Sequence, residues 1–115
     1  MTPEEAALHL GWDAWPDGWQ PQEIKRGDAL VGFWLIKGNE IHAYRLPQWK
    51  GRWLTRGELE RISHQILQVH GVMTTRVRCA NKQGQQFVER LGFVPVGLQN
   101  GCILYKTERL THARL

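Results

Sequence analysis

Cysteine is scarce: Cys79 and Cys102 are the only two in 115 residues. Two thiols cannot build a disulfide scaffold or a cysteine zinc site. Both are read as buried thiols in a reducing, cytoplasmic compartment. Long apolar runs are lacking too. The longest, Ala29 to Ile36, covers eight residues, whereas a membrane helix needs about 20. Neither a membrane span nor a membrane partner is therefore expected. The opening Met1-Thr2-Pro3-Glu4-Glu5 is acidic and has no apolar core, which argues against a secretory signal. Compact catalytic motifs are missing as well. There is no HExxH or Cys-Xaa-Xaa-Cys pattern, no Gly-Xaa-Ser-Xaa-Gly elbow and no complete Walker-type phosphate loop. His64 and His70 stand six apart, which puts them on different helical faces. No metal site is expected.

What is present is an ordinary globular composition, 42% hydrophobic and 23% charged, of a length that suits one domain. Two features depart from the average. Six tryptophans are many for this length: Trp12, Trp15, Trp19, Trp34, Trp49 and Trp53. The charge is also uneven. Residues 1–40 hold three Lys/Arg against seven Asp/Glu, and residues 41–115 hold twelve against four. The basic two-thirds can attract an anion: a nucleotide cofactor, nucleic acid or an acidic protein face.

Along the chain, Pro3 to Leu10 reads as a short helix stopped by Gly11. Two prolines and two glycines then break the stretch from Gly11 to Pro21 into a loop anchored by Trp12, Trp15 and Trp19. Residues 1–27 are read as a Trp-rich N-terminal arm. Its tryptophans either tack the arm to the domain or form an aromatic patch for a protein partner. Asp28 to Ile36 is a strand apolar on both faces, Lys37-Gly38-Asn39 a turn, and Glu40 to Leu46 a second strand ended by Pro47. The clearest helix spans 56–69, with Leu59, Ile62, Ile66 and Val69 on one stripe. Thr55 and Glu58 fit a capping box at its start, and His70-Gly71 ends it. Thr74 to Cys79 alternates as a strand. Asn81 is placed to cap a further helix carrying Phe87, Val88 and Leu91, which Gly92-Phe93 closes in a Schellman ending. Val94 to Val96 and Cys102 to Lys106 are short strands joined through Asn100-Gly101, and 107–115 is a polar tail. The alternation predicts a mixed α/β sheet with a β-α-β core.

Two segments carry a resemblance. The first runs from Leu46 through Pro47-Gln48-Trp49-Lys50-Gly51-Arg52-Trp53-Leu54-Thr55-Arg56 to Gly57, between a strand and a capped helix. The second runs from Asn81 to Phe93, with Asn81, Gly84, Phe87, Gly92 and Phe93 at characteristic spacing. Together they resemble the GCN5-related N-acetyltransferase (GNAT) family over residues 28–106. The resemblance implies a small GNAT-like α/β domain with a truncated N-terminal half. It also implies acetyl-CoA as cofactor, held near Lys50, Gly51, Arg52, Trp53, Leu54, Thr55, Arg56 and Asn81, and transfer of acetyl to an amine. Glu40-Ile41-His42 followed by Pro47 and Lys50-Gly51-Arg52 looks like small acetyltransferase-like proteins of tailed bacteriophages, some of which are virion components. That likeness implies a bacterial host and phage structural proteins as partners.

The family pattern is not met everywhere. Pyrophosphate binding needs free N–H groups at a helix start and small residues around them. Here Trp53 and Thr55 stand where the family has small residues, and Lys50, Arg52 and Arg56 add three cations around the turn. A capping box would also use donors that a phosphate needs. Acetyl transfer needs a base and usually an acid. The acid position that the family fills with Tyr is Val88 here. His42 and Glu40 are the candidate bases, His42 having a suitable intrinsic range. Two functions are thus in play: a phage-type N-acetyltransferase, or a family member that keeps the fold as a non-catalytic interaction module. Nucleic-acid binding through Arg76, Arg78 and the basic aromatic turn is the weaker alternative.

Overall fold

The computed structural model describes residues 1–110, so the end of the polar tail lies outside the described residues. Among the described residues six strands and three helices alternate in a mixed α/β arrangement, as the sequence pattern predicts. The chain divides into two compact units, Met1–Thr55 and Arg56–Leu115.

In the first unit, α1 (Pro3–Leu10) begins with a capping box. The Glu5 amide donates to Thr2 Oγ1 at 3.2 Å, and the Thr2 amide donates to Glu5 Oε1 at 3.2 Å. These hydrogen bonds hold the Glu5 carboxyl below its usual range. Three strands follow as an antiparallel meander: β1 (Gln20–Arg26), β2 (Ala29–Lys37) and β3 (Glu40–Arg45). Strand β1 lies within the stretch read as a Trp-rich arm, residues 1–27, where no strand is expected from the sequence. Only Ile24 of that strand is fully buried, so no alternation marks it. Its backbone is recruited by β2, and Pro21 is tolerated beside β2 on a strand at the rim of the meander. The 36-to-41 hairpin closes on Lys37 and Glu40 around Gly38, at φ +62°.

Strand β2 is buried continuously from Val31 to Ile36. Phe33 and Leu35 join Ala6, Leu10 and Leu46 in one apolar cluster, against which Trp12, Trp15, Trp19 and Trp49 pack. The three arm tryptophans are thus half-buried. Trp15 Nε1 donates to the Trp19 carbonyl at 2.7 Å, which fixes the loop internally.

In the second unit, α2 (Arg56–His70) buries Leu59, Ile62, Ser63 and Ile66. Val69, expected on the same stripe, is 76% exposed. It sits in the last turn, past the covered part of the helix. Gly71 closes the helix at φ +75°. Strand β4 (Met73–Arg78) pairs antiparallel with β6 (Cys102–Thr107), and β6 with β5 (Val94–Gln99). The β5–β6 turn is Asn100-Gly101, both residues at positive φ, 51° and 77°, as a two-residue type I′ turn requires. Between β4 and β5 lies α3 (Lys82–Arg90). The Gly92 amide reaches the Glu89 carbonyl and the Phe93 amide the Val88 carbonyl, both at 3.1 Å. That pair of bonds is the Schellman ending.

The cysteines correct an expectation. Cys79 is exposed and Cys102 half-buried, because both lie at the turn end of β4–β6 rather than under a helix. The first tail residues are anchored: the Leu110 amide donates to Ser63 Oγ at 3.2 Å, and Leu110 is buried. Among the described residues no helix is long and apolar enough to cross a membrane.

Candidate functional site

The segment from Leu46 to Thr55 is irregular but tightly referenced to its own unit. The Leu46 amide donates to the Val31 carbonyl at 2.9 Å, and the Trp49 amide to the Leu46 carbonyl at 3.1 Å. Gly51 turns the chain at φ +92°, a value that suits glycine. The carbonyl of Arg52 then receives two side chains, Arg26 Nη1 at 2.6 Å and Trp49 Nε1 at 3.2 Å. The Arg26 donor carries no signal in the sequence, because nothing local links residue 26 to residue 52. The consequence is a fixed main chain with the side chains of Lys50 and Arg52 exposed.

Trp53, which stands where a small residue was expected, is turned inward. Its ring lies against Gly32 of β2, so that a Cβ at Gly32 would stand 2.9 Å from the indole. Leu54 is buried, and Thr55 and Arg56 are exposed where α2 begins. Glu58 receives the Arg61 guanidinium, whose Nε donates to Oε1 at 3.2 Å and to Oε2 at 3.0 Å. That carboxylate raises the Arg61 pKa above its ordinary value.

The candidate bases form a pair. His42 Nε2 lies 2.9 Å from Glu40 Oε2, with side chains 24% and 19% exposed. They stand two apart on β3 and so share a face. Leu35 is the register partner of His42, and Phe33 that of Tyr44. This is therefore the face that carries the Trp loop. Trp19 meets the His42 ring edge-on at 5.2 Å, Trp12 meets Tyr44 at 4.9 Å, and Lys37 Nζ lies 5.9 Å from the Trp19 ring. Gly32 is one residue out of phase with Phe33, so Trp53 and the His42–Glu40 pair address opposite faces of β2–β3. The sequence placed all of them near one cofactor without distinguishing the faces.

In the second unit, Asn81 caps α3: the Gly84 amide donates to Asn81 Oδ1 at 2.9 Å. Gly84 has no room for a side chain, since a Cβ would stand 2.5 Å from Asn81 Nδ2 and 3.0 Å from Val77. Val88 is buried. On β6, the Tyr105 hydroxyl donates to Glu89 Oε2 at 2.9 Å. Burial, and then the Glu89 hydrogen bond, push its pKa up to about 12.

No family model and no curated sequence matches the chain. Among solved structures, the chain is similar to the ribosomal-protein-S18-alanine N-acetyltransferase from Escherichia coli. The TM-score is 0.60 at 13% identity, over 96% of this chain and 88% of that one. At such identity the likeness is one of fold. The chain adopts a small GNAT-like fold, in agreement with the resemblance seen in its sequence.

Proposed function

We propose that the chain is an acyl-CoA-binding protein of the N-acetyltransferase type, with a phosphate grip made by side-chain cations and a weakened transfer chemistry. The observation that carries this is the double anchoring of the Arg52 carbonyl by Arg26 and Trp49. It fixes a turn whose exposed groups are the ammonium of Lys50 and the guanidinium of Arg52. Such groups suit a pyrophosphate or a ribose phosphate. Trp53 and Thr55 leave less room for backbone approach than small residues would, so binding rests on charge more than on main-chain amides. Asn81, at the start of α3, is the remaining cofactor candidate.

Acetyl-CoA supplies an activated thioester when bound. In this reading His42 takes the proton from the incoming ammonium, and Glu40 orients the imidazole and stabilises its protonated form. No phenol stands at Val88 to return a proton to the leaving thiolate. A thiol's ordinary pKa of about 8.5 makes that thiolate a tolerable leaving group. The chemistry is therefore slowed rather than forbidden. The phage-type reading rests on the Glu40-Ile41-His42 and Lys50-Gly51-Arg52 pattern alone. The second reading, a non-catalytic interaction module such as a virion component, is favoured by the buried Val88.

The test is a calorimetric titration of the protein with acetyl-CoA, repeated on Lys50→Ala/Arg52→Ala. Micromolar binding that falls at least about tenfold in the variant is expected. An absence of heat at millimolar ligand would remove the cofactor reading and leave the interaction module.

A further inference from the structure

A cleft of about 590 Å³ opens along α1 and the loop that follows it, lined by Trp12, Trp15 and Trp19 together with Glu4, Asp13 and Asp17. This volume falls in the range of genuine ligand sites. Small and apolar residues such as Ala7, Leu8 and Pro16 complete the lining, and its aromatic and charged groups are indoles and carboxylates. The first twenty residues hold four Asp/Glu and no Lys or Arg. Glu4, Asp13 and Asp17 are exposed carboxylates, and Lys37, whose Nζ lies 5.9 Å from the Trp19 ring and beside Gly18, offsets them only in part. A concave wall of low dielectric focuses such a field.

The tryptophans are held as a rigid set. Trp12 and Trp15 lie 5.5 Å apart at 32°, Trp15 meets Phe33 at 6.5 Å, and the Trp15–Trp19 hydrogen bond ties the loop. One of them already takes a cation from within the chain, Lys37 over Trp19. Indole faces attract ammonium and guanidinium groups, guanidinium above all because it also stacks.

We infer that this cleft docks a cationic peptide segment of a partner protein, one carrying two or more Arg or Lys side chains. The spread of the charges selects a segment over a single small amine. Glu4 stands on α1, whereas Asp13 and Asp17 stand on the loop, on either side of Trp15. Arg and Lys lay their apolar stems on indole while their heads reach carboxylates, which is the pattern this lining offers. An acidic or nucleic-acid ligand would meet like charge. The inference is independent of the acyl-CoA reading, because no residue of the Lys50–Arg56 turn takes part.

The experiment titrates the full chain with a short end-capped peptide of alternating Arg and Gly, reading tryptophan emission and calorimetric heat. A Glu–Gly peptide and argininamide serve as comparisons. Saturable binding of the Arg peptide is expected. It should weaken about tenfold in Asp13→Asn/Asp17→Asn, whose positions are exposed and outside the core. It should also weaken at about 0.5 M salt, where screening acts within a few ångströms. No saturable response, equal binding of the Glu–Gly peptide, or unchanged affinity in the carboxamide variant would overturn the inference. Argininamide binding as tightly as the peptide would overturn the choice of a peptide over a free amine.

Discussion

The ring of Trp53 rests on the backbone of Gly32, near enough that a Cβ at residue 32 would stand 2.9 Å from the indole and also meet the carbonyl of Tyr44. Gly32 is buried and lies in the middle of β2. The residue therefore serves close approach rather than a turn. Gly32→Ala is expected to destabilise the protein by about 1–3 kcal/mol, the usual cost of overpacking a filled interior. Trp53→Ala should relieve the indole part of the clash but not the closer approach to the Tyr44 carbonyl. The double variant should therefore cost less than the sum of the two single ones while keeping the backbone part of the Gly32→Ala penalty. Denaturant midpoints of the four proteins check this, and simple additivity would sink the contact.

The same contact shows what could and could not be read from the sequence. Strands β2, β3, β4 and β6 and helices α2 and α3 were legible because apolar spacing and caps coincide there. Asn81, Gly92-Phe93 and Asn100-Gly101 each carry a local rule that the backbone obeys. Strand β1 was not legible, since Gln20–Arg26 offers one buried apolar residue and owes its shape to a neighbour. Trp53 was legible as a misfit to a phosphate turn but not as a ring folded onto Gly32, because two residues 21 apart in sequence share no local signal. Glu40 and His42 are legible as candidate bases on one strand, but their 2.9 Å contact is not, since the sequence offers them as alternatives. The edge contact of Trp19 with His42 is not legible either.

Asn81 separates a structural from a cofactor role. Its side-chain oxygen is committed to the Gly84 amide. Asn81→Ala is expected to lose about 1 kcal/mol of stability, the usual value of an N-cap. Asn81→Asp keeps an equivalent acceptor and adds a negative charge at a helix start, where it is tolerated or favoured. Its thermal midpoint should stay at or above that of the parent. If the residue lies beside cofactor phosphates, acetyl-CoA affinity of the aspartate variant falls several-fold. Unchanged affinity with unchanged stability would confine Asn81 to capping.

Tyr105 makes stability depend on pH at the alkaline end. Its phenol has a pKa raised from 10.0 to about 12, so the folded state holds this proton more tightly than the unfolded chain does. The stabilisation is fully present below pH 10 and is lost as the pH rises through that window towards 12. Tyr105→Phe should remove this component. It also forfeits the hydrogen bond to Glu89, at a cost of about 1 kcal/mol near neutrality. Melting curves of both proteins across the alkaline range should therefore converge as the pH rises. Parallel curves would mean that the phenol titrates normally.

The His42–Glu40 pair tests whether the fold retains its chemistry. If His42 takes the proton from an amine, His42→Ala should slow acetyl transfer by about a hundredfold or more, the scale of a general base. Glu40 acts through the imidazole, which it meets at 2.9 Å, so Glu40→Gln should have a smaller effect that still lowers kcat rather than raising KM. Neither change touches the Lys50–Arg52 turn, and acetyl-CoA affinity should hold in both. The measurement is release of free CoA thiol in the presence of an amine panel, beside calorimetry on the same preparations. A parent protein that binds acetyl-CoA but releases no thiol above the His42→Ala background would assign the pair to packing against Trp19. It would leave a cofactor-binding fold without transfer.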